Sequence, residues 1–173
     1  AVTVFVIRLS PGSKVAKELI GDGFRGIVNA DRWSAYSWID PKRRQLCWSH
    51  LLRDFQKLVD RGGISAEIGT NLLEWADQMF KYWQRVRDGT LKRSTFNTYL
   101  TEIRQHILAT LEAGKVCRNT KTANFCDNIL NLKSALWAFS RIDGVEPTNN
   151  AAERAIRKPV LWRKGSFGTD TPK

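Results

Sequence analysis

The sequence predicts an α/β protein carrying an all-helical insertion, and three observations lead there. Residues 2–30 alternate strand, helix and strand patterns; residues 45–59 add a short strand that feeds an amphipathic helix; residues 64–139 then hold three helical patterns with no strand between them. The expected division is an α/β core from residues 1–61 and 140–173, with the insertion at 62–139.

Taken in order, the chain opens at Ala1 without an initiator Met, directly in VTVFVI, a β-branched run that reads as a strand buried on both faces. So apolar a strand needs neighbours, and the opening looks like a cut. SPGS at 10–13 is a turn with Ser13 as a candidate N-cap; Val15, Ala16, Leu19 and Ile20 mark a short amphipathic helix that Gly21 ends. GIVNA, residues 26–30, is the next strand. Asp31 stands at its C-terminal end, where open α/β sheets gather their chemistry; a capping or turn carboxylate is the plainer reading of the same residue.

Gln45–Trp48 reads as a short strand, and Leu51, Leu52, Phe55, Leu58 and Val59 then repeat at helical spacing. Cys47 and His50 form a Cys-x-x-His pair that invites zinc. Cys117, Cys126 and His106 are not spaced as a second ligand pair, so a packed structural histidine is expected, with a place near the site as the other reading. Ile64, Ile68, Leu72, Trp75, Met79, Trp83 and Val86 define a long helix ended by Asp88-Gly89. Phe96, Leu100, Ile103, Ile107 and Leu111 define a second, with Ser94 as its cap and Gly114 closing it. A third segment, near 120–139, breaks near Lys133. Lys81, Arg85, Arg87, Lys92 and Arg93 gather at the first turn of this insertion, as a solvated tip or a contact for DNA or a partner subunit.

In GVEPTNNAAERAIRKPVLWRKGSFG, Thr148 and Asn149 can cap a helix over Asn150–Lys158 that Pro159 stops. Ala152, Ala155 and Ile156 can face a core. Asn149, Glu153 and Arg157 fall on one line and Asn150 and Arg154 on a second beside it. Glu153 and Arg157 suit a solvated ion pair; the same carboxylate among amide and guanidinium groups also suits a divalent metal held against a phosphate.

Lys and Arg number 28 against 17 Asp and Glu, a net charge of +11, which favours a polyanionic partner, nucleic acid before an anionic membrane. No apolar run approaches the roughly 20 residues of a spanning helix. Three irregularly spaced cysteines argue against a disulfide framework and for a reducing, cytoplasmic compartment. Most of the seven tryptophans are expected in the core, some in reach of bases.

The phrases EPTNNAAER and RKGSFG, and the helix led by Cys-x-x-His, resemble the DDE transposases of bacterial insertion sequences, in the insertion sequence 66 family. The resemblance implies a ribonuclease-H-like fold with a helical insertion between the second Asp and the final Glu. It implies Asp31 and Glu153 as catalytic, metal-holding acids, and Mg²⁺ or Mn²⁺, two ions in the complete site. Asn150, Arg154, Arg157, Arg163 and Lys164 would hold DNA backbone. The partners implied are transposon ends and target DNA, a homo-oligomer of the full-length protein, and possible accessory proteins, with no membrane. The family's first Asp lies upstream of VTVFVI, so this chain alone is expected to be inactive for strand transfer. A non-catalytic basic binding module, a decayed remnant and a nuclease of the same fold are the alternatives.

Overall fold

The computed structural model describes residues 12–21 and 23–165, apart from the side chains of residues 159 and 163–165. The strand expected at residues 2–7 lies outside the described residues. Ser13–Ile20 forms helix α1, entered from Gly12 rather than capped by Ser13, and ended at Gly21. Val28–Ala30 (β1) and Arg44–Leu46 (β2) pair in parallel, Asn29 opposite Gln45. The chain crosses between them through two 3₁₀ turns, Ser34–Tyr36 and Pro41–Arg43, the second capped by Asp40 Oδ1 accepting from Lys42 N.

Helix α2, Trp48–Arg61, leaves β2 through Cys47. Its register buries Leu51, Phe55 and Leu58 because they fall three or four residues apart on one face. Gly62, at φ 80°, occupies the left-handed region that only glycine enters freely and reverses the chain into α3, Gly63–Arg87. Helix α4, Arg93–Lys115, buries all five positions of its predicted face, Phe96, Leu100, Ile103, Ile107 and Leu111. Ser94 does not cap it: the helix starts at Arg93, and the cap position two residues before Ser94 is Lys92, without a side-chain cap. Asn119 caps α5, Thr120–Asn131, by accepting from Thr122 N. The predicted break near Lys133 is a 3₁₀ turn, Lys133–Leu136, before the short α6, Ala138–Arg141.

One apolar cluster runs from Leu46 and Trp48 through α2 to α5 and on to Phe139. The small parallel sheet is therefore fixed at one end of a mainly helical, mixed α/β body. Trp48, Trp83 and Trp137 are buried and Trp75 is half-buried, whereas Trp33, Trp38 and Trp162 are exposed, so fewer tryptophans lie in the core than expected.

Helix α7, Asn150–Gly165, corrects two expectations. It continues through Pro159, whose missing N–H leaves one carbonyl of the preceding turn without its usual donor but does not end the helix. Ala152, Ala155 and Ile156 are exposed rather than packed on a core, since the segment's backbone anchors lie at its N-terminal end.

Gly69 lets α2 and α3 approach. A Cβ there would lie 2.7 Å from Phe55 O and 2.8 Å from Val59 N, backbone atoms that cannot swing aside. Alanine elsewhere in a helix gains up to about 1 kcal/mol over glycine. Gly69→Ala should instead destabilise by about 1–3 kcal/mol, measured by urea unfolding; equal or greater stability would show that the helices do not meet there.

Candidate functional site

The C-terminal ends of β1 and β2 gather the chemistry-bearing residues. Cys47 N donates to Ala30 O at 2.9 Å, extending the ladder one residue past β2. Trp48 N then donates to Pro147 O at 2.9 Å, so the first turn of α2 receives the segment that leads into α7. From β1, Asn29 Nδ2 donates to Glu146 O (2.8 Å) and Thr148 O (3.2 Å). Asn149 N donates to Cys47 Sγ at 3.4 Å, and Asn149 O accepts from Glu153 N to open the helix. These bonds bring Glu153 to residues more than a hundred positions earlier in the chain.

Glu153 is half-buried, and the ionisable side chain against it is His50, Nε2 to Oε1 at 3.4 Å, rather than Arg157. The ligand atoms of Cys47, His50 and Glu153 lie within 4.8 Å of one another. Cys47 is buried, and His50 is half-buried. Arg154 and Arg157 are exposed on the same helix, and Asn150 is half-buried at its start; the side chains of Arg163 and Lys164 lie outside the described residues.

Asp31 follows β1, as predicted, and is not part of that three-residue group. Its Oδ1 accepts from Trp33 N at 2.9 Å, the turn role that the plainer reading assigned. Arg44, almost wholly buried, donates from Nη2 to Asp31 O. Burial lowers the Arg44 pKa against the opposing pull of the Asp31 charge; burial and then Asp31 raise that of Tyr36. A cleft lined by Arg32, Trp33, Arg44 and Asn128 opens beside this loop.

The remaining cysteines and histidine do other work. His106 stacks on Trp75 with ring centroids 4.0 Å apart. Burial, with Cys117 nearby, pushes the Cys126 thiol up to about 11, as suits an unreactive core thiol. At the insertion's first turn Lys81 pairs with Asp77, and Arg93 donates to Phe139 O beside the Trp83 ring. Arg85, Arg87 and Lys92 remain exposed.

Sequence reasoning missed Arg32. Its Nη2 meets Asp54 Oδ2 at 2.6 Å, its Nη1 meets Asn128 Oδ1 at 2.9 Å, and its guanidinium lies over the Phe125 ring. It ties the Asp31 loop to α2 and α5. Its position next to Asp31 is the only hint that the sequence held.

The whole chain, residues 1–173, matches the family model described as Transposase IS66 family. A curated relative, "Uncharacterized protein y4qI" of Sinorhizobium fredii (strain NBRC 101917 / NGR234), is 30% identical over 88% of this chain. The chain spans 30% of that relative's length. No solved structure matches. Among the described residues no helix is long and apolar enough to cross a membrane.

The tie through Arg32 has a pH signature. Burial raises the Asp54 carboxyl, but hydrogen bonds from Lys57 and Arg32 outweigh it and hold the pKa below its ordinary value. A carboxylate depressed in the folded state adds stability that is present above its unfolded pKa and lost as pH falls through the folded one. Asp54→Asn should cost about 1–2 kcal/mol at pH 7, with the deficit shrinking below about pH 4. Urea unfolding at several pH values checks this; a deficit unchanged at low pH would contradict it.

Proposed function

Because the chain belongs to the IS66 transposase family, we propose that it supplies two of the three carboxylates, Asp31 and Glu153, of a DNA cleavage and strand-transfer site. The observation that carries this reading is the set of hydrogen bonds to the backbone of residues 146–149 that draws Glu153 on α7 toward the C-terminal ends of the two strands, the end from which Asp31 emerges. A ribonuclease-H-like core, with residues 62–139 as the helical insertion and the first acid supplied upstream of residue 2, is the arrangement that goes with it. The helical run from α3 to α6 supports the insertion.

The donor set suits hard divalent cations such as Mg²⁺ or Mn²⁺: Asp31 uses Oδ1 for its turn and keeps Oδ2, and Glu153 keeps a carboxylate that is partly exposed to solvent. Two such ions, when bound, activate the attacking oxygen and stabilise the leaving oxygen of an in-line displacement at phosphorus. The chain's own residues hold and orient. Arg44, buried under the Asp31 loop, steadies its backbone by donating to the Asp31 carbonyl. Arg32 keeps the loop in place. Asn150, Arg154 and Arg157, with Arg163 and Lys164 further along, line phosphates of the DNA backbone and contribute salt-dependent, sequence-independent affinity. The chain's net charge of +11 supports the same partner.

The test uses the complete open reading frame that encodes this chain and a donor plasmid bearing the insertion-sequence ends. Glu153→Gln and Asp31→Asn should each reduce end cleavage and joining by at least about 10³-fold, on the scale of losing a group that acts in the transition state. Binding to end DNA in a mobility-shift assay should be retained. Cleavage near the unsubstituted level would sink the assignment. Free 3′-ends without joined product would favour a nuclease of the same fold, and DNA binding without cleavage in the unsubstituted protein would favour a binding module.

A further inference from the structure

Cys47, His50 and Glu153 have a chemistry of their own that the two-acid reading does not use. The thiol, the imidazole and the carboxylate come from two adjoining segments, the start of α2 and the first turns of α7. A buried Cys and a half-buried His against a Glu are a mixed sulfur, nitrogen and oxygen set, which suits a borderline transition metal better than Mg²⁺. We infer that these three side chains form a zinc site with one coordination position open to water or to a phosphate oxygen.

The spacing supports this over a simple ion pair. His50 Nε2 and Glu153 Oε1 stand 3.4 Å apart, longer than the usual hydrogen bond of about 2.9 Å. Zinc bonds of about 2.0–2.3 Å in tetrahedral geometry place ligand atoms roughly 3.5 Å apart. That pair therefore already has the separation of two ligands on one ion. The three atoms lie within 4.8 Å of one another, so the Cys47 sulfur completes the set with an adjustment of roughly 1 Å.

The surroundings agree with a metal-bound thiolate. Asn149 N donates to Cys47 Sγ, the kind of backbone bond that steadies a charged sulfur and orients it. Two buried polar atoms flank the group without a partner, His50 Nδ1 and Asn149 Oδ1. A ligating imidazole presents its other nitrogen as a donor to a second group, so this amide is a natural partner once the ring settles on an ion. The Cys-x-x-His pair lacked a second pair in the sequence because its third ligand lies on α7, and three protein ligands with one open position are sufficient for zinc.

The inference does not rest on the DNA-cleavage reading. A carboxylate has two oxygens, so zinc on Oε1 leaves Oε2 for an ion shared with Asp31. On binding, the Cys47 thiol releases its proton to solvent and ligates as thiolate.

The test is titration of the purified, metal-stripped protein with Co²⁺ as a coloured substitute for zinc, in the absence of DNA. One equivalent should produce the intense visible bands of four-coordinate cobalt and a near-ultraviolet thiolate-to-cobalt charge-transfer band, and zinc should displace both. Cys47→Ser should remove the charge-transfer band. His50→Gln and Glu153→Gln, which alter partly exposed side chains and so spare the fold if Cys47→Ser does not, should each weaken cobalt binding at least tenfold. The inference is overturned if the unsubstituted protein shows no charge-transfer band, if Cys47→Ser retains it, or if neither the His50 nor the Glu153 variant changes affinity. A positive cobalt spectrum in a protein that fails to cleave DNA leaves this site standing while the transposition reading falls.

Discussion

Gln45 is wholly buried at the centre of β2, and its side-chain amide joins two parts of the chain that are about ninety residues apart in sequence. Its Oε1 accepts from Phe139 N at 2.9 Å, while its Nε2 donates to Leu136 O and to Leu46 O. Trp48 Nε1 donates to the same Leu136 carbonyl. Leaving a buried amide unpaired costs about 1–3 kcal/mol, so these bonds hold the turn after α5 against the strand in one arrangement. Everything C-terminal to that turn inherits its starting point from it. The aromatic contacts around it, Trp48 with Trp137 and Trp83 with Phe139, fill the space on either side.

From that anchor the chain returns along the strand ends. Asn29 and Trp48 bind the 146–148 backbone, Cys47 accepts from Asn149, and α7 begins with Glu153 turned toward His50. The helical body thus serves the site indirectly: α3, α4 and α5 pack through one continuous core and deliver the chain back to the sheet. Along α7, Arg154 and Arg157 are exposed to solvent, and few of the helix's described side chains pack on the body. Arg32 does for the Asp31 loop what Asn29 does for the α7 entry, each tying down the backbone beside a carboxylate of the proposed site.

The helical region was legible in the sequence because its periodicity is strong: the α4 face was read residue for residue, and the break at Lys133 is where the apolar spacing changes. Asp31 at a strand end was legible for the same reason, an apolar run stopping at a carboxylate. The end of α7 was not, because Pro159 is a good but not absolute stop and nothing in its neighbours records that the helix tolerates it. Nor was the contact of Glu153 with Cys47 and His50 visible, since it is made by long-range bonds from the Asn29 side chain and the Trp48 and Asn149 backbone N–H groups, which have no sequence signature. Gln45, a polar residue in a three-residue strand, looked unremarkable, and its importance exists only through Leu136 and Phe139.

The central claim is that Asp31 and Glu153 face one site. Crystals of the complete protein with transposon-end DNA, grown with Mn²⁺ in place of Mg²⁺ and measured at the manganese absorption edge, test it most directly. The account predicts an anomalous peak bonded to both carboxylates and to a DNA phosphate oxygen. Manganese held away from either residue, or bound by Glu153 without Asp31, would contradict it.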